Sequence, residues 1–159
     1  MTKNIIKTLS VTAWLCAGLA LQSPNTAYSH CQIPCGIYDD EARFSTMQEH
    51  ITTIEKSMKQ VSELSADAGA NINQLTRWVN NKEKHADKLA HIVSYYFLAQ
   101  RIKAPTDESD GAHETYLEML ELLHQLTVSA MKCKQTTDLQ HVENLRSSLE
   151  KFHAAYIGH

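Results

Sequence analysis

A chain of 159 residues suits one domain, and 43% apolar against 21% charged residues is enough to bury a single core. With only three prolines and five glycines, little of the composition reads as disordered. The formal net charge is −3, and no basic run or aromatic-basic interleaving appears, which argues against a nucleic-acid-binding face.

The first 29 residues differ from the rest. Lys3 and Lys7 precede an uncharged apolar run, Leu9 to Leu21, followed by polar Gln22 to Thr26 and then Ala27-Tyr28-Ser29. This is the layout of an export signal with small residues at −3 and −1 of the cut. The run has 13 residues, too few to cross a hydrocarbon layer of about 30 Å as a helix. A buried helix or an uncleaved anchor is the competing reading. Cys16 follows Leu15 rather than the small residue of a lipoprotein cut, so it leaves with the leader. The expected division is a cleaved signal over 1–29 and a mature protein over 30–159. The product would be exported, periplasmic or extracellular in a bacterial-type cell, matured by signal peptidase and without a stable membrane anchor. Cleavage removes Lys3 and Lys7 and no acid, so the formal charge moves from −3 to −5. It also leaves His30 with a free α-amino group.

Four helical patterns follow. The first places Phe44, Met47, Ile51, Ile54, Met58 and Val61 at spacings of three and four, with Asp39 and Asp40 ahead as caps. A break is expected over Ser65 to Asn73, punctuated by Gly69 and Asn71. The second pattern runs through Ile72, Leu75, Val79, Ala86, Leu89, Val93 and Tyr96, with a polar middle from Asn80 to His85. Lys103-Ala104-Pro105 ends it, and Thr106 to Gly111 reads as a loop. The third carries Tyr116, Leu120, Leu123, Thr127 and Ala130; the fourth carries Leu139, Val142, Leu145, Leu149, Phe152 and Tyr156. No period-two run competes. Short connections and near-heptad stripes predict an all-α chain, an antiparallel up-down four-helix bundle with an irregular N-terminal segment.

That segment is His30-Cys31-Gln32-Ile33-Pro34-Cys35-Gly36-Ile37-Tyr38. Pro34 and Gly36 supply turn chemistry around Cys35, so two thiols four residues apart can close on one ion. If His30 is first in the chain, its amine, with a pKa of about 8, becomes a ligand once deprotonated. The amine, the Cys31 amide nitrogen and the Cys31 thiolate would form two fused five-membered rings, with the Cys35 thiolate completing a plane. A planar N/S set suits copper(II) or nickel(II) better than tetrahedral zinc, and the imidazole of His30 could approach axially. In an exported protein the same two cysteines could instead form a disulfide. Cys133 reads as a buried core thiol.

The nine residues HCQIPCGIY resemble the nickel hook of the nickel-containing superoxide dismutases, H-C-x-x-P-C-G-x-Y, at every specified position. The family's hook follows directly on a proteolytic cut, and the expected cut here falls just before His30. The helical remainder, including Tyr95 to Phe97, is also similar. The resemblance implies nickel, one ion per subunit, held by His30, Cys31 and Cys35, with Tyr38 beside the metal as a gate for small anions. It implies a homohexamer that disproportionates superoxide to dioxygen and hydrogen peroxide through the Ni(II)/Ni(III) couple. A nickel- or copper-binding or metal-delivery bundle without turnover is the alternative. Gln32 stands where the family often has an acid. The family also steadies its axial imidazole with an acid and a base, for which Glu49, His50, Lys82 and His85 are loose candidates.

Superoxide is an anion, and a mature charge of −5 repels it at long range. Lys82, Lys84 and Lys88 could focus it locally, or form a solvated helix face. Glu121 and His124 make one E-x-x-H without the second copy that a di-iron site needs, which leaves them as surface residues. His91 reads as a core or interface residue. His141, His153 and His159 have no ligand spacing.

Overall fold

The computed structural model describes residues 33–106 and 110–158, and every regular element among them is helical. Helix α1 spans Asp40–Leu64. Its start follows from an acidic pair: Asp39 accepts a hydrogen bond from the Ala42 N–H at 3.0 Å, while Asp40 and Glu41 sit in the first turn against the positive end of the dipole. A 3₁₀ turn, Ser65–Asp67, leads into α2, Ala68–His91. The expected break is therefore only three residues long, and Gly69 and Asn71 lie inside the helix. The reason is local capping. Asp67 accepts from the Ala70 N–H, and the Asn71 amide donates back to the carbonyls of Leu64 and Asp67, stitching the turn shut.

Beyond His91, α2 runs without interruption into a π-helical stretch, Ile92–Arg101. Helix α3 spans Asp110–Gln135 and α4 spans Gln140–Ile157. The loop expected over Thr106 to Gly111 is shorter at its far end, because α3 has begun by Asp110.

The core takes one stripe from each helix. Phe44, Met47, Ile51, Ile54 and Met58 of α1 are buried as the spacing predicts. In α2 the stripe holds from Ala86 through Leu89, Val93 and Tyr96, but Ile72 at its start is 63% exposed. In α3 the buried set is Met119, Leu122, Leu123, Leu126, Ala130 and Cys133, while Tyr116, Leu120 and Thr127 are half-buried. The expected stripe is rotated by part of a turn. Glu118 to Leu126 carries leucines on two adjacent faces, so periodicity alone accepts either. Helix α4 buries Val142, Leu145, Leu149 and Phe152.

Successive helices pack on one another, and α1 also packs on α4. The pairs run antiparallel. Asp40 meets Arg101 at one end of α1–α2 and Ser57 meets Asn81 further along; Glu41 meets His153 and Glu55 meets Arg146 across α1–α4. Phe44, Phe97, Phe152 and Tyr156 form an aromatic cluster at the end where α1 begins, with ring centroids 4.9–5.8 Å apart. At the far end of α3, Lys82 is buried and donates to the carbonyls of Lys134 at 2.7 Å and Thr136 at 3.1 Å. Its ammonium closes orphan carbonyls of the α3 C-terminus, so Lys82 does not belong to a solvated face.

Candidate metal centre

Residues 33–39 lead into α1 at the end of the molecule where the aromatic cluster lies. The Ile33–Pro34 peptide is cis, and Gly36 has φ +79°, a left-handed conformation that side-chain-bearing residues rarely adopt. The Ile37 N–H donates to the Pro34 carbonyl at 3.3 Å, closing a tight turn with Cys35 exposed on it. Ile33 and Ile37 are more than 80% exposed, so their side chains pack on nothing among the described residues.

Polar and aromatic contacts tie the segment to α2. Tyr38 is 39% exposed and sets its ring edge-on to Tyr96, centroids 5.8 Å apart. The Arg101 guanidinium lies over the Tyr38 ring, 4.5 Å from its centre. Gln100 reaches the Ile33 carbonyl at 3.5 Å while bonding the Tyr95 carbonyl at 2.6 Å.

Beneath Tyr38 sits Asp40, whose carboxylate accepts four hydrogen bonds. Arg101 grips it with two prongs, Nε to Oδ1 at 2.9 Å and Nη2 to Oδ2 at 2.6 Å. The Tyr96 hydroxyl donates to Oδ1 at 2.6 Å and the Tyr156 hydroxyl to Oδ2 at 2.8 Å. Burial pushes the Asp40 carboxyl up, but the bonds from Arg101, Tyr96 and Tyr156 outweigh it and hold it below its usual range. The same contacts read from the other side push Tyr96 and Tyr156 to about 12, through burial first and the Asp40 hydrogen bond second.

Sequence reading did not single out this network. Asp40 was expected as a cap, yet Asp39 does the capping and leaves Asp40 free to face inward. In the sequence Tyr96 and Tyr156 are stripe residues, and nothing marks Arg101. The doubled aspartate after Tyr38 was the available signal, since one helix start needs only one cap.

His30 and Cys31, and Gln32 between them and the turn, lie outside the described residues, as does the expected leader. Of the other candidates, Glu49 is exposed and Lys82 is committed to α3. His50 is buried and His85 half-buried, their Nδ1 atoms 3.1 Å apart. His50 stands ten residues along α1 from Asp40, about 15 Å at 1.5 Å per residue. Lys84 and Lys88 are exposed, in keeping with a solvated face. Glu121 and His124 are exposed. His91 is exposed too and stacks on Tyr95 at 4.4 Å, so it is not a core residue. His153 pairs with Glu41, and the buried Nδ1 of His141 has no hydrogen-bond partner among the described residues. Cys133 is fully buried, and burial pushes its thiol up to about 11, which suits a packing residue rather than a ligand.

A family model described as nickel-containing superoxide dismutase matches residues 25–159. The chain belongs to this family. It is a superoxide dismutase, an oxidoreductase acting on superoxide with nickel as its cofactor. No curated protein and no solved structure matches the chain. Of the ligands that the resemblance implies for this dismutase, the described residues include Cys35 alone. Cys35 offers a thiol on an exposed turn, a soft donor suited to nickel. Among the described residues, the turn included, no group of three His, Cys, Asp or Glu side chains could hold a metal ion.

Proposed function

We propose that nickel is held, one ion per subunit, by the processed N-terminus: the amine and imidazole of His30, the amide nitrogen and thiolate of Cys31, and the thiolate of Cys35. The observation that carries this reading is the intact H-C-x-x-P-C-G-x-Y string, lying wholly inside the family match. When bound, nickel supplies a one-electron couple between its divalent and trivalent states, through which two superoxide ions and two protons become dioxygen and hydrogen peroxide. The chain's own part is to place donors and to control approach. Tyr38, partly exposed at the foot of the turn, admits small anions and orders water, while Tyr96 and Arg101 limit where its ring can go.

Release of residues 1–29 by signal peptidase creates the amine, and places the enzyme in the periplasm or outside the cell. The packing of α1 with α2, α2 with α3, α3 with α4 and α4 with α1, antiparallel across α1–α2 and α1–α4, supports an up-down four-helix bundle. Six such subunits form the assembly that the resemblance implies.

N-terminal sequencing of the exported protein, paired with metal analysis, tests the reading. A start at His30 with about one nickel per chain is expected. A retained leader, or a blocked His30 nitrogen in nickel-loaded protein, would overturn it.

A further inference from the structure

We propose that the π-helical end of α2 is a positioning device for the active site, in which Arg101, fixed by Asp40, sets the pose of Tyr38. The inference rests on the reading that Tyr38 stands beside the metal.

Helix geometry carries the argument. At 3.6 residues per turn, residues five apart in an α-helix point about 140° away from each other. Tyr96 and Arg101 are five apart, yet both donate to Oδ1 of Asp40, at 2.6 and 2.9 Å. The widened turn makes that possible. A backbone five-residue bond is visible at the same place: the Ile102 N–H donates to the Phe97 carbonyl at 2.9 Å. Runs of this kind are rare and cluster at functional sites, and here one covers Ile92–Arg101.

What the widening achieves is local. It brings one face of α2 against the turn in three contacts: Tyr96 edge-on to the Tyr38 ring, Arg101 over it, and Gln100 on the Ile33 carbonyl. Arg43 of α1 covers the Tyr96 ring at 4.9 Å, and Tyr156 of α4 holds the second oxygen of Asp40. Three helices thus converge on one carboxylate, and that carboxylate aims the guanidinium at Tyr38. Ile33 and Ile37 are exposed, so the polar and aromatic contacts from α2 carry the support that these two side chains do not give. Arg101 acts through Tyr38 and is a positioning residue.

The test uses the mature, nickel-loaded enzyme with Arg101→Met, and Arg101→Lys as the milder variant that keeps charge but loses the planar fork. Amide hydrogen exchange of residues 33–38, exchange of the core amides of α1 and α3, nickel content and turnover are read together. Both variants should exchange the 33–38 segment at least several-fold faster, with core exchange and nickel content unchanged and turnover reduced several-fold. Unchanged exchange at 33–38 overturns the proposal, as does acceleration spread equally through the core, which would make Arg101 a general structural residue. Tyr38→Phe separates the two readings. If the segment loosens in the Arg101 variants but neither they nor Tyr38→Phe alter turnover, the placement of Tyr38 beside the metal is wrong and the active-site role falls with it.

Discussion

The Nδ1 atoms of His50 and His85 lie 3.1 Å apart across α1 and α2, so one ring must donate and the other accept. Protonating both removes the acceptor. Burial lowers the pKa of His50 first, with the charges of His85 and Lys88 adding to it and Glu49 opposing; burial, then Lys88 and Lys84, lowers that of His85. Below the ordinary value of 6.5 the unfolded chain takes up protons that the folded pair refuses, so stability is full above that value and is lost as pH falls through it. The melting temperature should drop between about pH 7.5 and about pH 5.5, and His85→Gln should flatten the drop. Parallel curves for variant and wild type would remove the pair from the explanation.

Asp40→Asn leaves the Arg101 guanidinium without its carboxylate. The side chains of Arg101 and Asp40 are 29% and 22% exposed, so solvent screens part of the loss, and a cost of about 2 kcal/mol in urea unfolding is expected. The tyrosines give a second readout. Tyr96 and Tyr156 sit near 12 partly because an ionised neighbour resists a second negative charge. Removing that charge should lower their ultraviolet titration toward, though not to, the ordinary 10, since burial remains. A titration that does not move would mean burial alone sets it.

The helical division of this chain was legible because α1 and α4 each carry one apolar stripe with a polar remainder. It was less so in α3, where leucines occupy two faces and only packing chooses between them. The hook was readable as a string of residue types, because thiols, a proline and a glycine at fixed spacing already describe a turn with donors on it. What supports that turn was not readable. Asp40 and Arg101 are 61 residues apart, and their meeting depends on a π-helical turn that no local pattern in Ile92–Arg101 announces. Lys82 shows the same limit. Its sequence neighbours Asn81 and Glu83 are polar and half-buried, and only the arrival of the α3 terminus makes Lys82 a buried donor.

Lys82→Met tests that last point. The methionine fills similar space but leaves the carbonyls of Lys134 and Thr136 without their donor, at a cost of about 1–3 kcal/mol. Burial lowers the pKa of Lys82, so the wild-type ammonium is itself held at some cost, which pulls the net loss toward the lower end. Denaturant midpoints should fall, and exchange should quicken in the last turn of α3 before the rest of the helix. A variant as stable as wild type would show that water replaces the ammonium without loss.

The hook makes the sharpest demand on chemistry rather than on packing. A hydroxyl stays protonated near neutral pH where a metal-bound thiol does not, so Cys35→Ser should lose nickel and turnover together. Cys35 is exposed and outside the core, so helicity and melting temperature of the nickel-free chain should stay within error of wild type. A single glycine added before His30 changes no side chain at all. If processing leaves His30 first in the chain, the addition turns its α-amine, of ordinary pKa about 8, into an amide that does not titrate, and so takes away the first member of the proposed chelate. If nitrogen from the chain terminus is a ligand, this addition must be as damaging as loss of a cysteine. If the extended enzyme binds nickel and turns over at the wild-type rate, the metal is held by some other set of donors, and the role given to processing at Ser29–His30 is wrong.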